Sequence, residues 1–330
     1  MIHVQHLTKQ FKSAAAKEGA FKGIRTLLSR DYRIKDAVSD INFTIERGEF
    51  VGYIGPNGAG KSTTIKMLSG ILHPTAGQVQ IDGLSPHRER KQVARRLGVL
   101  FGQRTQLWWD LPVRDSFDIL AAMYGISEQA KAARVAQLSE LLELGPFMDT
   151  AVRKLSLGQR MRADIAAALL HDPEILFLDE PTIGLDVVAK RSIREFLRSI
   201  NKELDKTILL TTHDMDDIEQ LCGRVIVINN GRLGFDGTID ELRRRIGLPT
   251  LIRVTYRYPI HSEALLGSMG ASGISEHLQL TQTEERILTA ACNRDQLSAM
   301  EALRLLEQLG EIEDVHMDEP DFEEIVHRIY

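Results

Sequence analysis

Gly55-Pro56-Asn57-Gly58-Ala59-Gly60-Lys61-Ser62-Thr63 sets the reading of this chain, with the apolar run GEFVGYI at 48–54 before it and a helical stretch to about Leu72 after it. Gly, four residues, then Gly-Lys-Ser is the pattern of a phosphate-binding loop. Its glycines let the backbone turn so that successive N–H groups converge on an anion. The following helix adds the positive end of its dipole. In that geometry Lys61 reaches the outer phosphates and the Ser62 hydroxyl serves a magnesium ion. A chance glycine-rich turn would lack the flanking strand and helix that this stretch has.

About 120 residues later, ILFLDE at 175–180 supplies the complementary half of the site. A short, continuous apolar run suits a strand buried on both faces, and this one ends in two carboxylates. Asp179 is placed to hold the metal. Glu180, one residue on, is placed to polarise an attacking water. Two further apolar runs, Thr207–Leu210 and Val225–Ile228, alternate with helical patterns, which argues for a parallel sheet in an α/β core.

Outward from this core, residues 2–10 read as an edge strand, 38–46 as a half-buried strand, 77–82 as a short strand, 88–97 as a basic helix and 113–171 as helical throughout. Gly247-Leu248-Pro249 breaks the chain. Beyond it, 250–258, 285–291 and 311–316 read as strands and 294–309 and 320–329 as helices. The expected division is a nucleotide-binding domain over 1–245 and a small α+β domain over 246–330. Residues 12–33 interrupt the first domain with a basic, amphipathic arm. Such an arm either lies on an anionic surface or packs as a solvated insertion.

Composition excludes several classes. The 330 residues carry 41 Lys plus Arg against 46 Asp plus Glu, a formal charge of −5, so no global basic footprint for nucleic acid exists. Cys222 and Cys292 are too few and too far apart for a disulfide framework or a cysteine zinc site. No apolar run reaches the roughly 18 residues of a membrane span, and MIHVQHLTKQF has no apolar signal core. A reducing cytoplasm is the expected compartment, with any membrane role exercised through a partner.

The remaining motifs resemble the ATP-binding cassette family in type, order and approximate spacing over roughly 2–240. LSLGQRM at 155–161 resembles the signature sequence, Gln103 the Q-loop glutamine, GLD at 184–186 the D-loop, and His213 in LLTTHDM the switch histidine. The resemblance implies an α/β P-loop NTPase core with a helical subdomain at about 104–171, binding ATP and Mg2+. It implies Glu180 as general base, His213 on the γ-phosphate and the water, Gln103 near metal or water, and Asp179 with Ser62 on the metal. It further implies a homodimer, or pseudo-symmetric dimer, in which Ser156, Gly158 and Gln159 of one copy complete the nucleotide site of the other, with Asp186 near the seam. Leu157 departs from the family, which most often has Gly there.

Two aromatic residues compete to stack on adenine. Tyr32 has the family's usual spacing before Gly55, and Phe11 ends the first strand where many members carry that aromatic. LWWDLP at 107–112 either exposes one tryptophan, Trp108 or Trp109, to anchor a partner beside the Q-loop or packs both into the core. The transporter-like segment 221–242 and the tail EPDFEEIVHRIY resemble drug-exporter ATPases, which implies a separately encoded, multi-spanning membrane permease and no nucleic acid. A soluble switch on ribosome or DNA is the alternative, and co-purifying nucleic acid would mark it.

Overall fold

The computed structural model describes residues 1–14, 32–102, 104–259, 278–293, 297–318 and 322–329. They divide into two compact units, Met1–Thr238 and Ile239–Tyr330. In the first unit the elements run β1 (Ile2–Ala14), β2 (Tyr32–Ile45), β3 (Phe50–Ile54), α1 (Lys61–Leu68), β4 (Ala76–Ile81), α2 (Arg90–Ala94) and β5 (Leu97–Phe101). Then come α3 (Val113–Tyr124), α4 (Glu128–Leu142), α5 (Leu157–Leu169), β6 (Ile175–Asp179), α6 (Val187–Glu203), β7 (Thr207–Thr211), α7 (Met215–Leu221), β8 (Arg224–Asn229) and β9 (Arg232–Gly237).

Six strands form the central sheet in the order β5-β6-β7-β3-β8-β9. All neighbours are parallel except β8 and β9, which are antiparallel. The apolar runs at 50–54, 175–178, 208–210 and 225–228 are buried throughout, as strands covered on both faces require. Parallel order sends the carboxyl ends of β3, β6 and β7 to one edge of the sheet, where ligands of open α/β sheets bind.

Three local expectations are revised. Residues 2–10 are not an edge: β1 is the middle strand of an antiparallel sheet, β2-β1-β4, because both neighbours pair along it. The basic helix expected at 88–97 stops at Ala94, since the apolar LGVLF of β5 gains a place beside β6. The helical stretch 113–171 is three helices, interrupted where Gly125 and Glu143 take left-handed φ of 70° and 51°. Residues 15–31, the middle of the basic arm, lie outside the described residues, while its flanks at 12–14 and 32–33 extend β1 and β2.

The second unit begins earlier than the expected 246. Helix α8 (Ile239–Ile246) belongs to it, because Leu242 is fully buried and α8 packs on α10 (Phe322–His327). Four antiparallel strands follow in the order β11-β12-β10-β13: β10 (Thr250–Tyr256), β11 (Leu278–Thr283), β12 (Ile287–Cys292) and β13 (Ile312–Asp318). Alternation along β10 buries Ile252, Val254 and Tyr256 in a cluster that also holds Ala302 and Leu306 of α9 (Ala299–Glu307). No helix among the described residues is long and apolar enough to cross a membrane.

Candidate nucleotide site

Residues 55–60 leave the buried end of β3 and turn directly into α1. Two glycines make the turn possible. A Cβ on Gly55 would sit 2.1 Å from the Ile228 carbonyl oxygen, and Gly60 holds φ at 113° with its Cβ position 2.5 Å from the Ala37 carbonyl oxygen. Only a residue without a side chain fits either place. Inside the loop, the Lys61 ammonium donates to the Gly55 carbonyl at 2.5 Å and to that of Pro56 at 3.3 Å. Burial pushes the Lys61 pKa down, and the charges of Glu180 and Asp179 oppose that shift.

Asp179 closes β6 in register with Thr211 of β7. The Thr211 hydroxyl donates to one oxygen of its carboxylate. The Ser62 hydroxyl faces the other at 3.4 Å. A hydroxyl and a carboxylate converging at the start of α1 form an all-oxygen donor set, which suits a hard cation such as Mg2+. Asp179 and Ser62 are thus brought together as the sequence implied. Thr211 was missed, although its place at the end of the neighbouring parallel strand was a usable signal.

Glu180 lies just past the end of β6. It takes a left-handed φ of 55° and its N–H donates to the Thr211 carbonyl at 2.8 Å. This conformation is uncommon for a residue with a side chain and persists only where the surroundings enforce it. The turn brings Glu180 Oε1 to 2.9 Å from His213 Nε2.

A cavity of about 290 Å³ joins these groups: Pro56 to Thr63, Glu180, His213, and on its far side Phe11, Lys35 and Ala37. Phe11 stands opposite Lys35 in the β1–β2 hairpin, with the Lys9 ammonium 5.4 Å from its ring centre. Of the two aromatic candidates, Phe11 lines the cavity. The Tyr32 backbone pairs with Ala14, three register positions further out, and its side chain lies outside the described residues. Lys35 and Ala37 were not singled out in the sequence, because the hairpin register that aims them here is set by long-range pairing. Gln103 lies outside the described residues. Its neighbours Gly102 and Arg104 line a separate groove of about 750 Å³ that runs from Ser62 and Asp179 to Tyr124 and His171.

The signature residues do not line the nucleotide cavity of their own chain. Ser156 caps α5: its hydroxyl accepts from the Gln159 N–H at 3.2 Å, and the Gln159 side chain accepts from the Ser156 N–H at 3.0 Å. Gly158 opens the first turn of α5, leaving that face of the helix without a side chain. Leu157 lies against Gly184, whose Cβ position would be 3.1 Å from it. Its bulk is therefore turned to the D-loop. Asp186 caps α6 by accepting from the Ala189 N–H at 2.8 Å. Trp108 and Trp109 are 37% and 49% exposed, and the Arg160 guanidinium lies 5.5 Å from the Trp109 ring centre.

A family model described as ABC transporter matches residues 38–183. The chain is 33% identical to the daunorubicin resistance ATP-binding protein DrrA3 of Streptomyces coeruleorubidus over 296 residues, 89% of this chain and 91% of that one. That length runs beyond the first unit into the second. It is 41% identical to the Nod factor export ATP-binding protein I of Burkholderia orbicola, over 65% of this chain and 70% of that one. Among solved structures, a dimeric post-hydrolysis state of the ATP-binding cassette MJ0796 bound to ADP and phosphate matches with TM-score 0.60 and 26% identity, covering 72% of this chain and 98% of that one.

Proposed function

The chain belongs to the ABC transporter family as an ATP-hydrolysing subunit, and from that premise we propose that two copies close head to tail around two ATP molecules to drive an exporter's membrane permease. One observation carries this reading. The phosphate loop, Glu180 and His213 line one cavity, with Asp179 3.4 Å from Ser62 at its border, while Ser156 and Gly158 lie on a different helix start and line no part of it. A second copy supplies them. The exporter assignment draws on relatives named for drug resistance and for Nod factor export.

In the closed pair, backbone N–H groups of residues 57–62 and the Lys61 ammonium hold the phosphates. Entry of the phosphates takes Lys61 from the Gly55 and Pro56 carbonyls to charged oxygens, which strengthens its hydrogen bonds. Phe11 stacks on the adenine face. Ser62 and Asp179 hold Mg2+, which neutralises phosphate charge when bound. Glu180 takes a proton from the attacking water, and His213, already against Glu180, orients the pair on the γ-phosphate. The N–H groups at the start of the partner's α5 complete the anion site. Loss of phosphate removes those charge-assisted bonds and opens the pair. The groove beside Arg104 to Gln106, with the exposed tryptophans nearby, receives a cytoplasmic segment of the permease.

The test is co-purification of tagged Glu180→Gln from its native cells in mild detergent with ATP and magnesium. Recovery of a multi-spanning membrane protein is the expected result. Recovery of ribosomes or DNA with no membrane protein would overturn the transport reading and leave the cassette.

A further inference from the structure

The Asp217 side chain, in α7, is fully buried, and three donors converge on its carboxylate. Thr182 Oγ1 donates to Oδ2 at 2.5 Å, Thr212 Oγ1 to the same oxygen at 3.1 Å, and Arg194 Nε to Oδ1 at 2.5 Å. Each donor belongs to a different part of the catalytic edge. Thr182 lies two residues after Glu180. Thr212 directly precedes His213. Arg194 lies in α6, the helix that Asp186 caps, and also donates to Asp214 at 3.2 Å, which in turn accepts from Lys190 at 2.5 Å.

We propose that Asp217 is a positioning residue for ATP hydrolysis. It ties the turn after Glu180 to the loop before His213, and so fixes the 2.9 Å contact between the general base and the histidine. Two hydroxyls that share one acceptor oxygen cannot drift apart without one losing its partner. In a buried site that loss is not repaired by water. The carboxylate is preferred over a neutral acceptor because Arg194 compensates its charge in the same buried place. The left-handed backbone of Glu180 needs such enforcement: its own N–H bond to Thr211 fixes one side of the turn, and the Thr182 bond to Asp217 fixes the other. Neither Asp217 nor Thr182 lines the nucleotide cavity, so the effect is on geometry and not on binding.

This inference rests on the hydrolytic reading above, and its test separates the two. Truncating Arg194 or Asp217 would strand a buried charge and confound folding with function, so the hydroxyls are the better probes. Thr182→Val keeps volume and the ion pair while removing one tie. Its kcat is expected to fall about tenfold or more, as a misplaced catalytic group would cause, with nucleotide Kd held within about twofold. Thr182→Ser, which restores the hydroxyl, is expected to recover most of that kcat. Thr212→Val should act in the same direction. Unchanged kcat in Thr182→Val, or equal losses in the Ser and Val variants, would overturn the proposal. If the unaltered chain with its membrane partner showed no hydrolysis, the hydrolytic reading would fail instead. A crystal structure of Thr182→Val would still decide the positioning role: a lengthened Glu180–His213 contact supports it, and one held at 2.9 Å overturns it.

Discussion

The phosphate loop and the signature helix stand at two ends of one unit, and their side chains are engaged in different ways. At the loop, groups from three strands meet: Lys61 donates to loop carbonyls, Ser62 and Thr211 approach Asp179, and His213 meets Glu180. At the signature, Ser156 and Gln159 satisfy only each other, and beyond Asp186 the side chains of Val187 and Val188 stand 82% and 79% exposed. The first arrangement is a reaction centre held by its own chain. The second is an apolar rim and a helix start whose capping side chains, among the described residues, hydrogen-bond only within the cap itself. The proposed pair accounts for this difference, because in it each end meets the other end of a second copy.

Substitutions at the two ends should therefore fail in different assays. Lys61→Ala removes a charged donor from the loop, and a charge-assisted bond is worth ~1.5–3 kcal/mol. Nucleotide affinity should fall about 10- to 100-fold even in the isolated chain, as titration with a fluorescent ATP analogue would read. A Kd unchanged by this substitution would break the comparison at its stronger end.

Ser156→Ala should leave the isolated chain's nucleotide affinity unchanged and lower hydrolysis by about tenfold, because in the proposed pair the hydroxyl acts on the other copy's phosphate. Loss of the cap should also cost the helix ~1 kcal/mol, visible as a small drop in Tm. Mixing the two variants sharpens the test. A mixed pair places both lesions in one composite site and leaves the other intact, so hydrolysis should rise above that of either variant alone. No recovery on mixing would mean that the ends do not meet in trans.

The smallest effect expected concerns stability along the signature helix. Burial raises Asp164 to about 6 from its ordinary 3.8, while Thr105 and Gln106 donate to it at 2.8 and 3.0 Å. An acid whose folded pKa is raised binds more protons when folded, so its contribution to stability is lost as pH rises through about 6. Between pH 7 and pH 5 this group should raise Tm by ~2–4 °C per kcal/mol gained. Asp164→Asn should remove that part of the pH dependence. A pH profile of Tm identical in the two proteins would show that the carboxyl is not strained by burial.

Much of the site was legible because its parts lie in short, local patterns. Residues 55–63 and the carboxylates 179–180 each carry their own flanking context, and His213 follows an apolar run, so type and order sufficed. What escaped depends on pairing between distant segments. Spacing favours Tyr32, whose side chain lies outside the described residues, while Phe11 lines the cavity because the long-range β1–β2 pairing carries it there, which residue counting across an insertion does not show. The strand at 97–101 went unread, with only its first residue counted into the basic helix, since its place is decided by β6 beside it. The left-handed Glu180 and the ties to Asp217 span 35 residues and have no local signature. In the second unit, β11 went unread because two alternating leucines in LQLTQT are too short a pattern to mark a strand before it pairs with β12.

The most direct measurement is the mass of Glu180→Gln in solution, by light scattering on a sizing column, with and without ATP and magnesium. The account predicts a species near the 37.1 kDa of one chain without nucleotide and a stable species of twice that mass with it. The larger species should be lost again when Ser156→Ala is added. A protein that binds ATP yet keeps the mass of one chain under both conditions would contradict the two-copy site on which the account rests.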